Sequence, residues 1–376
     1  MSLDILSVLQ KAVEENVSDI FIIAGAPISF KIGDSIKPWN DSRLMPEDTE
    51  EAAKQIYALD HRDMGPLNAT GDDDFSFSIQ HLSRFRCNAY KQRGSLALIL
   101  RVVKFELPDY TALGIPDTVI DLYRKNKGLV LITGSAGSGK STTLSCIIDK
   151  INKNRNSHII TIEDPIEYLH RHDKSLVSQR EIEHDTRDYV SALRAALRQA
   201  PNVILLGEMR DYETITTAMT AAEAGQLVLS TLHTIGAANT IDRIIDVFPA
   251  NQQQQIRVQL SMVLQAVVSQ QLIPTVDGKL VPAFEIMLVN SAIRNMIREA
   301  KVHQIDNVIF SSQSTGMRSM DSDILRLYQA CLLYTSYADG FAQISMGSVV
   351  GLRKGWRFCT SFLIRGYSNI RFLKIP

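Results

Sequence analysis

An α/β fold, with a mainly parallel sheet in the larger part of the chain and a small α+β domain before it, is predicted by three observations. From Gly128 onward, short apolar strands alternate with helix-compatible segments, the pattern of a parallel sheet covered on both faces. Within that alternation, a glycine-rich loop stands between an apolar run, Gly128 to Thr133, and a helix-compatible segment, Ser141 to Lys153. The first hundred residues lack the alternation and mix helical with strand periods.

In order, Leu3 to Val17 has helical spacing of apolar residues, and Asp19 to Ile23 reads as a strand before a Gly25-Ala26-Pro27 turn. Glu47 to Leu59 is helical after the Pro46 start signal, Phe75 to Ile79 alternates like a strand, and Phe85 to Tyr90 and Leu96 to Val103 are two strands joined near Gly94. Residues 1–104 are therefore assigned to an amino-terminal α+β domain. Residues 105–116, with Pro108, Gly114 and Pro116 and little periodicity, make a hinge. A helix is expected from Asp117 to Lys127, opening the second domain at 117–330. Its strands are Leu129 to Thr133, Ile159 to Ile162, Val203 to Leu206 and Gln226 to Ser230. Asn251 to Gln271 reads as one long amphipathic helix and Ser291 to Lys301 as another. Residues 331–376 hold no Glu, one Asp and no clear period, and are expected to be foreign to the rest, joined near Ala330 by a frameshift or fusion.

Bulk properties narrow the class. With 45% hydrophobic and 22% charged residues the 376-residue chain is an ordinary globular protein, long enough for two domains. A net charge of −1, from 40 Lys+Arg against 41 Asp+Glu, carries no overall bias toward nucleic acid. No segment offers the ~18 uninterrupted apolar residues of a spanning helix, and no secretory leader is evident, so a cytoplasmic location is expected. Cys87, Cys146, Cys331 and Cys359 lie far apart, which argues against a zinc ribbon or disulfide framework.

The loop itself is Gly134-Ser135-Ala136-Gly137-Ser138-Gly139-Lys140-Ser141, followed by Thr142. Its glycines let backbone N–H groups turn inward around phosphates, the helix N-terminus adds partial positive charge, and Lys140 supplies a full one. Ser141 is placed to hold Mg²⁺. A plain strand-to-helix turn would need no lysine at this offset, so the pattern implies a nucleoside triphosphate.

Two acidic groups end strands, where a sheet delivers residues to a ligand. Glu163 and Asp164 lie in Thr161-Ile162-Glu163-Asp164-Pro165-Ile166-Glu167, which taken alone is equally a solvated turn; Glu208 ends the apolar run Val203-Ile204-Leu205-Leu206-Gly207, a Walker B pattern that points to a catalytic site only because a phosphate loop stands in the same sheet. His233, in Thr231-Leu232-His233-Thr234, follows another strand and is either hydrogen-bonded structure or a γ-phosphate sensor. Arg194 and Arg198, four apart on an expected Asp188 to Gln199 helix, form a solvated pair or a clamp on phosphate oxygens.

Together these boxes, in this order, resemble the secretion ATPases of the type II and type IV pilus superfamily from about Ser18 to Tyr328. Ala292-Ile293-Arg294-Asn295-Met296-Ile297 is similar to the Ala-Ile-Arg-Asn-Leu-Ile motif of PilT-type retraction ATPases, departing only at Met296. The resemblance implies a homo-hexamer whose subunits carry a PAS-like amino-terminal domain hinged to a RecA-like P-loop motor domain, with ATP between them. It implies that arginines of the amino-terminal domain reach the triphosphate; Arg86 and Arg101 match, and Arg93 does so less well. It also implies a pilus platform protein at the inner membrane as partner, pilin as indirect partner, and no nucleic acid. Lys140 then neutralises phosphate charge, Ser141 and Glu208 organise Mg²⁺ and its water, Glu163 positions or deprotonates the attacking water, and His233 reads the γ-phosphate, with Glu163 and Glu208 open to exchange. Retraction is favoured; extension or type II secretion by a related ATPase, and a RecA-like nucleic-acid motor, are the alternatives.

Overall fold

The computed structural model of the chain describes residues 4–33, 35–80, 82–103 and 107–333. It opens with α1 (Ile5–Glu14), where Asp4 caps the first turn by accepting from the Leu6 and Ser7 amides, and Ile5, Val8, Leu9 and Ala12 form the buried face. Then come β1 (Asp19–Ile23), β2 (Pro27–Ile32), β3 (Ser35–Arg43), α2 (Pro46–Leu59), α3 (Gly65–Thr70), β4 (Asp72–Ile79), β5 (Ser83–Gln92) and β6 (Ser95–Val103). The six strands make one sheet in the order β3-β2-β1-β6-β5-β4, antiparallel at every pairing. A single core joins α1 and α2 to this sheet through residues such as Leu9, Ile56, Ile22, Phe77 and Leu100. Phe85, Cys87 and Ala89 of β5 enter that core, so Arg84 and Arg86, one residue out of phase, stand on the opposite face.

The remainder contains α4 (Asp117–Ile120), β7 (Gly128–Thr133), α5 (Lys140–Asn154), β8 (His158–Glu163), β9 (Leu176–Glu181), α6 (Tyr189–Ala196), β10 (Val203–Leu206), α7 (Tyr212–Glu223), β11 (Leu227–Leu232) and α8 (Ala237–Asp246). These lead into α9 (Ala250–Val263), β12 (Leu264–Pro274), β13 (Leu280–Leu288), α10 (Ser291–Arg298), α11 (Ile305–Ser311) and α12 (Met320–Gln329). Seven strands form a second sheet in the order β13-β12-β7-β11-β10-β8-β9. The β11-β10, β10-β8 and β8-β9 pairs are parallel, whereas β12-β13 is an antiparallel hairpin. The α/β architecture is as expected, and the sheet is mixed, with the β12-β13 hairpin as an antiparallel part.

Several elements correct the sequence reading. Asn251 to Gln271 is not one helix: α9 stops at Val263, and Leu264, at ψ 128°, turns the chain straight into β12. The expected Asp117 to Lys127 helix is the single turn α4 followed by a 3₁₀ turn, Asp121–Arg124. α6 ends at Ala196, so Arg198 falls in the turn beyond it instead of sharing a helix face with Arg194.

Residues 107–116 contain neither helix nor strand, while residues 105 and 106 of the expected hinge, and residues 334–376 of the expected foreign tail, lie outside the described residues. The chain divides into two compact units. One comprises Met1–Asp109, Tyr123–Leu129 and Ser141–Ser230, and the other Tyr110–Leu122, Val130–Lys140 and the chain from Thr231 on. The carboxylates of β8, β9 and β10 therefore group with the amino-terminal sheet, and the phosphate loop groups with β12, β13 and the later helices.

Candidate nucleotide site

The phosphate loop leaves the end of β7, every residue of which is buried. Gly134, at φ +144°, has no room for a side chain: a Cβ there would lie 2.2 Å from the Gln270 carbonyl oxygen and 2.7 Å from Ser138 Oγ. β12 thus passes directly against the start of the loop. Lys140 is 8% exposed and folds back over it, donating from Nζ to the Gly134 carbonyl at 2.9 Å and the Ser135 carbonyl at 2.8 Å. These two carbonyls hold the ammonium at the loop, where a phosphate would meet it as a point charge.

On α5, Ser141 Oγ donates to Glu167 Oε1 at 3.0 Å, and the Thr142 and Tyr168 hydroxyls are hydrogen-bonded at 3.1 Å. The first turn of that helix is thereby tied to the acidic segment after β8, which contains the cis peptide Asp164-Pro165. Glu163 closes β8. Burial pushes its carboxyl up to about 7, although Thr161 and Gln179 favour the ionised form by hydrogen bonding. The Gln179 amide reaches Glu163 Oε1 at 3.4 Å and donates to the Tyr168 carbonyl at 2.9 Å, fixing both ends of the segment.

Glu208 is 8% exposed and ion-pairs with Arg210. It lines a cleft of about 310 Å³ together with Asp164, Glu183, Arg187, Tyr189 and Arg210. Burial, followed by the Asp164 and Glu208 charges, holds the Tyr189 phenol well above its usual range. The structure therefore brings Asp164 and Glu208 to one cleft, with arginines beside them. Such an arrangement can order a cation's water shell and balance charge that develops on transfer of a phosphoryl group.

Arg86 and Arg101 are direct cross-strand partners in β5 and β6, so their side chains share a face. Each has a carboxylate: Arg86 grips Asp74 through Nε at 3.0 Å and Nη2 at 2.6 Å, and Arg101 Nε donates to Asp19 at 2.9 Å. The hydrogen bonds to Asp74 hold the Arg86 guanidinium above its ordinary range, with smaller contributions from the Asp164 and Glu181 charges. Arg93 sits exposed in the hairpin turn at φ +48°. Arg194 reaches Glu213 at 3.5 Å and stays solvated. His233 is exposed just beyond β11.

Sequence reading missed Arg84. Its Nη2 lies 3.1 Å from Oε2 of the buried Glu181. The period-two spacing of Arg84-Phe85-Arg86 was the available signal, since it puts both arginines on the non-core face.

Among the described residues no cluster of three or more His, Cys, Asp or Glu has the makings of a metal cage, and no helix is long and apolar enough to cross a membrane.

A family profile described as "Type II/IV secretion system protein" matches residues 2–306. The chain is 41% identical over 320 residues to a Pseudomonas aeruginosa protein named "Type IV pilus retractation ATPase PilT", covering 85% of this chain and 92% of that one. It is 45% identical over 273 residues to a Neisseria gonorrhoeae "Twitching motility protein", covering 72% and 73%. A crystal structure of "the Pilus Retraction Motor PilT and Bound ADP" superposes with a TM-score of 0.82 at 45% identity, covering 89% of this chain and 96% of that one.

Proposed function

The chain belongs to the type II/IV secretion system protein family, and we propose that within it the protein is an ATPase motor that drives pilus retraction. The observation that carries this reading is the likeness, along nearly the whole length of each, to relatives named for retraction. The segment Ala292 to Ile297 supports it from this chain's own residues.

For the chemistry, the loop Gly134, Ser135, Ala136, Gly137, Ser138, Gly139, with Lys140, Ser141 and Thr142, cradles the phosphates of ATP. Lys140, held by the Gly134 and Ser135 carbonyls, neutralises phosphate charge. Glu163 accepts a proton from the attacking water, or orients that water, and its elevated pKa suits a base working near neutrality. His233 reads the γ-phosphate. Arg86 and Arg101 offset charge on the transferring phosphoryl group, a role worth on the order of 10³–10⁵ in rate where an arginine fulfils it.

The donors Ser141, Glu167 and Glu208 are all oxygen, the set a hard divalent cation prefers. Ser141 and Glu208 would hold Mg²⁺, which supplies charge neutralisation between the terminal phosphates. The family resemblance further supports a homo-hexamer acting at the cytoplasmic face of the inner membrane on a pilus platform protein.

Pili per cell, counted by electron microscopy, test the direction of the motor in a pilus-bearing strain carrying Glu208→Gln at this locus. Excess pili with lost twitching is the expected result. A bald surface would mean that the motor assembles pili instead.

A further inference from the structure

Glu181 ends β9 at 4% exposure, and none of the roles above uses it. Its Oε2 accepts the backbone N–H of Ile166 at 3.0 Å, and Arg84 Nη2 stands 3.1 Å from the same oxygen. Ile166 lies in the acidic segment between Glu163 and Glu167, and Glu167 in turn accepts from Ser141. Arg84 belongs to β5 of the amino-terminal sheet, where it is 9% exposed and also donates to Ser78 Oγ at 3.2 Å.

One carboxylate oxygen thus touches both a strand of the amino-terminal sheet and the backbone of the acidic segment. Glu181 is itself held: its N–H donates to Asp185 Oδ2 at 2.8 Å, and the Asp185 N–H returns to the Glu181 carbonyl at 2.9 Å. The same turn makes a second contact with the amino-terminal part, His184 Nε2 to Asp60 at 3.8 Å. Separating a buried pair leaves both charges uncompensated, so the cheaper displacement is one in which strand, carboxylate and segment move together. Arg84 Nε and Nη2 are both buried and make no hydrogen bond, so the ion pair with Glu181 is what balances the guanidinium charge, and its loss would leave that charge poorly compensated.

We propose that Glu181 is a positioning residue, paired with Arg84, that makes the placement of Glu163 and Glu167 depend on the position of the amino-terminal sheet. The kinetic part of this inference rests on the ATPase reading; the structural part does not. Rotation of that sheet would slow or permit hydrolysis by moving the acidic segment, without touching nucleotide.

Full-length wild type, Arg84→Met, Glu181→Gln and the double variant are compared in two assays. One is single-turnover ATP hydrolysis with KM; the other is hydrogen exchange over residues 163–168 without nucleotide. Each single change is expected to slow the chemical step about 10- to 100-fold with KM within about threefold, and the double to lose no more than the worse single. Exchange over 163–168 rises in Arg84→Met although that residue makes no bond to the segment. Arg84→Lys, which keeps the charge, recovers part of the rate, and it carries the comparison if Arg84→Met does not fold.

Additive losses, or unchanged exchange over 163–168 in the Arg84 variants, would overturn the coupling. Wild type that hydrolyses no ATP would sink the ATPase reading, and the exchange comparison would still decide the coupling.

Discussion

Arg294 Nη1 donates to the backbone carbonyl of Met262 at 2.9 Å and also to that of Ser261, so a side chain of α10 caps the carboxyl end of α9. The last carbonyls of a helix have no intrahelical donor, and a guanidinium supplies donors together with charge opposite to the helix dipole. Ile293 and Ile297 fill the core, and Arg294 lies off that stripe, fixing the angle between two helices.

Arg294→Ala is therefore expected to lower stability by about 1–2 kcal/mol, a charged hydrogen bond discounted for partial exposure. It should leave ATP hydrolysis within a few-fold of wild type while abolishing retraction. Denaturant midpoints, steady-state ATPase and twitching measure the three quantities. Loss of hydrolysis as complete as that of Glu208→Gln would show that the motif belongs to nucleotide chemistry after all.

Glu163 gives a pH dependence. Its carboxyl titrates near 7 because burial penalises the charge, so below that pH the base form becomes scarce. The single-turnover rate should fall roughly tenfold per pH unit below about 7, and Glu163→Gln should flatten the limb. Stability runs the other way. A raised carboxyl pKa favours the folded state fully below the ordinary value of 4.5, and that contribution is lost as pH rises through about 7. At pH 8 the Gln variant should be at least as stable as wild type while hydrolysing poorly; a rate that is level from pH 6 to 8 would remove Glu163 from the role of base.

What could be read in the sequence follows from how local each signal is. The phosphate loop, the Val203 to Leu206 strand and the carboxylates after β8 and β10 are each written within ten or so residues, and they stand where expected. β3 was not legible, because it is an edge strand, polar and exposed along most of its length, with Pro38 inside it. β12 was absorbed into the helix before it, since most of its residues are buried on both faces and its apolar run therefore lacks the alternation of a strand. Glu181 reads as an ordinary acid: its partners Ile166 and Arg84 belong to other elements, and only the fold brings them to one oxygen.

The glycines of the loop differ in what they tolerate. Gly137 is at φ +75° with open space around its Cα, so Gly137→Ala meets only backbone strain of roughly 1–2 kcal/mol. Gly134→Ala would drive a methyl into the Gln270 carbonyl of a sheet strand, which cannot yield without moving β12. We expect Gly134→Ala to cost distinctly more stability and to lose nucleotide affinity, with Gly137→Ala affected less in both. Chemical denaturation and titration with a fluorescent ATP analogue compare them. Equal losses would mean that strain, not contact with β12, governs the loop.

Asp323 on α12 is fully buried, and both of its oxygens are used. Oδ1 receives Arg318 Nη1 at 2.6 Å and Arg326 Nε at 2.7 Å, while Oδ2 accepts the Phe284 N–H of β13 at 2.9 Å. Removing the carboxylate strands a backbone donor in the core and two guanidinium groups, whereas removing Arg326, which is half exposed, leaves Arg318 still paired. Asp323→Ala should therefore cost about 3–5 kcal/mol and Arg326→Ala less than about 1 kcal/mol, as expected for one partner of a buried pair against one exposed ion-pair donor. Asp323→Asn is the sharper test, because it can still accept from Phe284 but presents no charge. If it is nearly as damaging as Ala, the two arginines carry the cost; if it is nearly neutral, the hydrogen bond that anchors α12 to β13 does.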